Sequence, residues 1–358
     1  MSEPDQRRIR ELRARAQAVG GGVREGSPAD VVRRVLAVQA QDAVAAALGI
    51  RARGRGITAE AVRAAYEDER SIFRGWFVRG TLHTVPAADA RWLLRLLAPG
   101  ILAATTRRYR QLGLGDKVLA ASDELLGRTA AAQGPLTRPE LTQALAPLGI
   151  PPEGQAPFHL IRHAALTGVL CHGPQRAGEA TYVPLDDWLP PTAGPEGDDA
   201  VAELARRYLA AYAPAAPEDF ATWSGLPLPR ARRAWQALAA EGTTTPYDAA
   251  LTTLAAHPPE PPTPDTPDVR LLPAYDGYLL GHRTRATSVP APHQSRVWPG
   301  GGIIRPTALA DGLTLATWTR TSAKPFINVE PFAALPPAIA EAVARESAAV
   351  TAFLRPET

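Results

Sequence analysis

Gln39 and Gln41, either side of Ala40 in the run Val35-Leu36-Ala37-Val38-Gln39-Ala40-Gln41-Asp42, are the side chains whose types and spacing best suit chemistry in this 358-residue chain. A glutamine amide has no pKa near neutrality, so neither can be a general acid or base. A pair of amides can instead aim a water molecule and turn carbonyl dipoles toward a developing positive charge. That suffices only where the leaving group arrives already activated. On a continuing helix the two glutamines would point about 200° apart, whereas an extended stretch puts them on one face. Joint action therefore requires a break in helix at this point. Asp42 is a true base by type, but it follows Gln41 directly and would face the other way, which favours a role as helix cap or arginine partner.

Three further arrays carry charge or hydrogen-bonding groups. Arg51, Arg53 and Arg55 alternate just after the glutamines, and Arg79, Thr81 and His83 alternate along an expected β-ribbon. Arg230, Arg232 and Arg233 fall on the second helix of a helix-turn-helix pattern. Each array suits contacts to a phosphate backbone or groove, and each reads equally as a solvated face. Tyr275, Asp276, Tyr278 and Arg283 read as braces of the segment that holds them. Phe220, Trp223 and Trp235 read as core.

Composition narrows the field. Hydrophobic residues make up 45% and charged residues 21%, ordinary for a globular protein, and the net charge of +3 does not by itself announce a nucleic-acid partner. Of 39 basic residues only Lys117 and Lys324 are lysines. GC-rich coding gives the same bias, so the arginines are permissive only. A single cysteine, Cys171, excludes an internal disulfide and a cysteine-based metal site. His159 and His163 stand four apart with nothing to complete a zinc set, so they read as structural. No metal and no cofactor is expected. No apolar run reaches membrane-spanning length and the N-terminus is not signal-like, so a cytoplasmic protein is expected.

The elements that must position these residues follow from local signals. Ser27-Pro28 opens a helix over 28–36. Thr58 caps another through Tyr66, and β-prone runs flank Gly80. Thr137 caps a helix with Pro139 and Glu140 in its first turn, and a second helix over 159–168 leads to a wing, 169–172 and 181–184. A helix over 201–212 precedes the helix-turn-helix of 217–235. After the proline-dominated stretch 257–268 the pattern turns β: 270–275, 278–281, 302–304 and 307–318, with Asp311-Gly312 marking a hairpin. A last helix runs from about 337 to 353. The fold class is therefore mostly α with β (α+β): winged helices at 1–120, 121–190 and 198–256, a small β-barrel at 268–332, and a C-terminal helix at 336–354.

Four motifs in order, Val38-Gln39-Ala40-Gln41, Arg79-Gly80-Thr81-Leu82-His83, Leu272-Pro273-Ala274-Tyr275-Asp276 with Tyr278-Leu279-Leu280-Gly281, and Gly301-Gly302-Ile303-Ile304-Arg305-Pro306-Thr307, resemble those of the AlkZ/YcaQ-type winged-helix DNA glycosylases. The resemblance spans roughly residues 10–330. It implies tandem winged helices and a barrel arranged as a C-shaped clamp on double-stranded DNA, acting as a monomer. It also implies monofunctional excision of N7-alkylguanine, including the unhooking of interstrand crosslinks. Gln41 at the third motif position resembles the branch associated with self-resistance to bulky alkylating natural products in antibiotic-producing actinobacteria. Gly277 and Thr284 depart from the family, where Glu and Asp are common. On this reading Gln41 positions the water and Gln39 holds that geometry. Arg51, Arg53, Arg55, Arg79, Thr81, His83, Arg230 and Arg233 contact DNA. Neither lysine falls in a motif, and a lyase needs an amine for a Schiff base, so no strand cleavage is expected. The rivals are a non-catalytic winged-helix DNA-binding regulator, which needs a dimer element that the sequence does not display, and a drug-sequestering resistance protein.

Overall fold

Ser27 turns the chain into the helix Pro28–Val35. Its hydroxyl accepts the Asp30 amide at 3.1 Å, and Pro28 occupies the first position, where a missing N–H costs nothing. The computed structural model describes residues 3–256, 266–321 and 326–355. It is a mixed α/β chain that divides into two compact units, Met1–Val62 with Val201–Thr358, and Arg63–Ala200. Residues 1–120 thus contribute to both units. The proline-rich residues 257–265, and Lys324, lie outside the described residues.

The first unit holds the helices Glu3–Ala16, Pro28–Val35 and Ala43–Arg53, most of Gly197–Tyr212, and the pair Pro217–Ser224 and Leu228–Ala240. Phe220, Trp223 and Trp235 pack with Tyr208 and Tyr212 as core, as their types suggest. A hairpin, Thr244–Pro246 with Thr252–Leu254, follows. Four antiparallel strands come next, in spatial order Ile327–Pro331, Leu313–Arg320, Thr307–Ala310, Val269–Leu272. Asp311 and Gly312, both at positive φ, make the two-residue turn that the Asp-Gly pair signals.

Three expectations change here. Among the described residues the outer strands Val269–Leu272 and Ile327–Pro331 are not paired with each other, so the sheet is open and no barrel closes. Four strands are too few to curl around a filled interior. The helix Pro337–Leu354 covers the sheet instead, and Val350 is buried with Leu48, Leu271, Ala316 and Trp318. Residues 278–281 are not a strand but part of a helical turn, Gly277–Leu280, because Asp276 accepts the Tyr278 amide at 2.9 Å and starts it. Residues 302–304 form only a bridge between Gly300 and Ile303.

The second unit begins within the helix Ala59–Glu67 and continues with a hairpin, Ile72–Trp76 against Leu82–Pro86, joined through the turn Val78–Gly80. The helices Ala87–Gln111 and Asp116–Gln133 follow, then the strand Leu136–Thr137 and the helix Arg138–Ala144. That helix starts as expected: Glu140 accepts the Thr137 amide at 2.7 Å. The helix Ala156–Leu166 leads to the strands Leu170–His172 and Thr181–Pro184, and Leu136–Thr137 pairs with the latter, giving a three-stranded sheet. Leu126, Leu141, Leu160 and Leu170 centre its core. His163 Nδ1 meets Asp123 at 3.0 Å. No helix among the described residues is long and apolar enough to cross a membrane.

Candidate functional site

The helix Pro28–Val35 ends abruptly at Leu36, whose φ of 63° and ψ of −45° fold the chain into a γ-turn in which the Ala37 amide donates to the Val35 carbonyl at 2.8 Å. A non-glycine residue held there costs on the order of 1–3 kcal/mol, and such strain gathers at working sites. The Leu36 side chain is fully buried, which holds the turn in place. The chain then extends over Val38–Gln39. This is the break in helix that joint action of the glutamines requires. Gln39, half-buried, donates through Nε2 to Oε1 of the exposed Gln41 at 2.8 Å. Asp42 starts the next helix, Ala43–Arg53, its Oδ1 accepting the Ala45 amide at 3.0 Å. Its carboxylate is therefore engaged as a cap.

Gln39 lines a narrow cleft, with room for about one water molecule, between the start of this helix and the segment Pro273–Gly277. Under it lies a fully buried ion pair. Arg53 Nη1 and Nη2 donate to the two oxygens of Asp276 at 2.8 and 2.7 Å, a bidentate fork. Burial alone would lower the Arg53 pKa, but the Asp276 carboxylate outweighs it and the net shift is upward. The other Nη hydrogens are also placed: Nη1 bonds the Gly49 carbonyl at 2.9 Å and Nη2 bonds Gln17 Oε1 at 3.0 Å, while the buried Nε finds no partner among the described residues. Gln17 is fixed in turn by the Ala211 carbonyl at 2.9 Å. The pair ties the helix that follows the glutamines to the turn that faces them. Tyr278 adds a bond from its hydroxyl to the Gly312 carbonyl at 2.9 Å, and burial pushes its pKa to about 12. Gly277 also lines the cleft, and a Cβ there would come within 3.0 Å of the Tyr212 hydroxyl.

These contacts revise the expected DNA ligands. Arg51 and Arg53 are helical rather than extended, so they do not share a face. Arg53 is fully buried on Asp276, and Arg51 is held by Glu346 at 2.6 and 3.1 Å. Neither offers a charge to a phosphate. Arg55 lies past the helix and is exposed. In the second unit Arg79 sits at φ 52° in the turn Val78–Gly80 and is exposed. Thr81 bonds the Val78 carbonyl at 3.1 Å. His83 is 3% exposed, with Nδ1 3.0 Å from the Thr81 carbonyl, to which it donates. Burial lowers its pKa to about 4, with Arg79 also lowering it and the bond to Thr81 opposing. His83 is a neutral core residue, not a groove contact. Arg230 is half-buried and Arg233 exposed on the helix Leu228–Ala240, while Arg232 pairs with Glu218 at 2.8 Å.

Sequence reasoning missed Gln17, the Arg53–Asp276 pair and the γ-turn at Leu36. A buried arginine whose partner lies 223 residues away leaves no local trace, and leucine is not a turn-forming residue.

A family model described as "DNA glycosylase AlkZ-like" matches residues 32–353. The chain is 30% identical over 318 residues to the interstrand DNA cross-link repair glycosylase of Streptomyces sahachiroi, with 82% of each chain covered. It superposes on the structure of the Streptomyces sahachiroi DNA glycosylase AlkZ with a TM-score of 0.77 and 26% identity, covering 96% of this chain and 95% of that one.

Proposed function

Because the chain belongs to the AlkZ-like DNA glycosylase family, we propose that it is a monofunctional DNA glycosylase that hydrolyses the N-glycosidic bond of N7-alkylguanine in double-stranded DNA, bulky natural-product adducts and interstrand crosslinks included. The observation that carries this reading is the hydrogen bond of 2.8 Å from the Gln39 amide to the Gln41 carbonyl at the mouth of the cleft. Alkylation at N7 makes guanine a cation. Its bond to C1′ breaks with both electrons going to the base, which leaves as a neutral molecule without prior protonation. The sugar becomes an oxocarbenium ion. Water then bonds to C1′ and gives up a proton.

The protein need only favour the sugar cation and place the water. Gln41 positions the water through its amide, and Gln39 fixes the plane of that amide and directs carbonyl density at the sugar. Preorganised dipoles of this kind are worth roughly 10²–10³ in rate. They are too weak to expel an undamaged guanine, which supplies selectivity without tight reading of the base. Lys117 and Lys324 both fall outside the four motifs in sequence, which supports a reaction without a Schiff base or strand cleavage.

The helix–strand order supports winged-helix modules, acting as a monomeric clamp in which Arg55, Arg79, Thr81, Arg230 and Arg233 meet the backbone. Self-resistance to a DNA-alkylating natural product is the physiological role that this substrate class fits. The test is a duplex oligonucleotide with one N7-methylguanine, treated with alkali after incubation. Wild type is expected to give cleavage at the lesion, and Gln39→Ala or Gln41→Ala to lose 10²–10³-fold in rate with duplex binding intact. Binding without base release, by wild type, would return the protein to the regulator class.

A further inference from the structure

Three large apolar side chains are exposed among the described residues: Val44, Tyr247 and Ile303. Ile303, at 50%, is the most exposed of them. It follows Gly300, Gly301 and Gly302, all at positive φ, where an added Cβ would meet nothing within 4 Å. The glycines are thus required by backbone shape and not by crowding, and the shape they make lifts an isoleucine into solvent. Ile304 beside it is buried in the core and anchors the loop.

The segment that carries this tip is one-signed in sequence, although Asp219 accepts the Arg283 amide at 2.9 Å and Arg296 reaches the Glu330 carbonyl at 3.5 Å. From Gly277 to Ala310 the chain has Arg283, Arg285, Arg296 and Arg305 and no aspartate or glutamate. Arg285 lies over the Trp298 ring at 4.7 Å, and Arg296 over Phe332 at 4.7 Å, so two of the cations are held in place rather than waving. The loop also leaves the sheet where the cleft begins. Thr307 pairs with Leu272, so residues 300–306 and the cleft-lining Pro273–Gly277 depart from the same end of adjacent strands. Val44, a second exposed apolar residue, stands three positions after Gln41 on the helix that forms the other side of the cleft.

We propose that Ile303 is an apolar wedge that enters the stack of duplex DNA beside the lesion, with the flanking arginines on the phosphates. An apolar side chain pushed into a base step partly unstacks it and bends the duplex, which opens the sugar to a water that the glutamines aim. This rests on the glycosylase reading for its substrate, but the wedge has its own signal.

Place 2-aminopurine next to N7-methylguanine in a duplex and follow its fluorescence on adding protein, with excision measured separately by alkali. Wild type is expected to brighten the probe several-fold. Ile303→Ala should bind with little brightening and excise about tenfold more slowly from duplex, with the rate on the single strand unchanged. Ile303→Phe should restore both. Since the side chain is exposed, neither change threatens the fold. If Ile303→Ala brightens the probe and cuts duplex as wild type does, the wedge is wrong. A wild type that brightens the probe in an Ile303-dependent way yet releases no base upholds the wedge and overturns the catalytic reading alone.

Discussion

The Gln39–Gln41 segment and the Arg79–His83 segment follow one sequence logic, polar side chains at every second position, and fold to opposite ends. In the first, a γ-turn at Leu36 ends a helix, the chain extends, and two amides meet near the surface. In the second, the positive φ of Arg79 interrupts the extended chain, and the strand beyond turns His83 into the core. A spacing of two selects a face; what packs behind that face decides whether it meets solvent. The supports differ as well. The cleft rests on a buried charged pair, Arg53–Asp276, whereas the His83 segment is closed by a neutral imidazole, with desolvation lowering His83 to about 4 and His172, in the same unit, to about 3.

That contrast can be broken most forcefully at the ion pair. Asp276→Leu strands a buried Arg53, and loss of about 3–5 kcal/mol is expected in denaturant unfolding. Adding Arg53→Met should recover much of it, because the double variant removes the unpaired charge. Full stability in the single variant would show that the pair supports nothing.

Acid should act through the buried imidazoles, His83 and His172 in the second unit and His282 in the first. The folded His83 pKa is below the ordinary 6.5, so the unfolded chain binds the extra proton between those values. Stability is then complete above about pH 6.5 and falls as pH drops toward 4, by about 2 kcal/mol at pH 5 for this residue. Urea midpoints at pH 7 and 5 test it, and His83→Gln should shrink the difference by about the 2 kcal/mol of this residue, leaving the share of His172 and His282.

A smaller effect sharpens the role of Asp42. Asp42→Ala should cost about 1 kcal/mol as a lost cap, and Asp42→Asn far less. Excision by Asp42→Asn should stay within a few-fold of wild type. Least of all, Arg55→Ala and Arg79→Ala should each weaken duplex binding modestly and reduce the salt slope by about one. Arg51→Ala, whose guanidinium is held by Glu346, should leave that slope unchanged.

Much of the frame was readable because the signals are local. Ser27-Pro28, Thr137 with Glu140, and Asp311-Gly312 each satisfy or shape backbone within a few residues, and each forms as expected. Non-local facts were not readable. Whether Arg53 faces a phosphate or Asp276 depends on a partner 223 residues away. The barrel expectation counted four short β-prone runs, two of which became a helical turn and a bridge, while a helix covered the sheet. At the candidate site, the meeting of Gln39 and Gln41 on one face and the break in helix it needs were legible as geometry. The device that breaks it, a strained leucine, was not.

The central claim is that two neutral amides suffice because the base leaves as a cation that needs no proton. Single-turnover excision of N7-methylguanine against pH measures this most directly. A rate that is flat from about pH 6.5 to 9 is predicted, since neither amide titrates there. A rate that follows one ionisation and loses it in Asp42→Asn would contradict the account, and make the carboxylate the base.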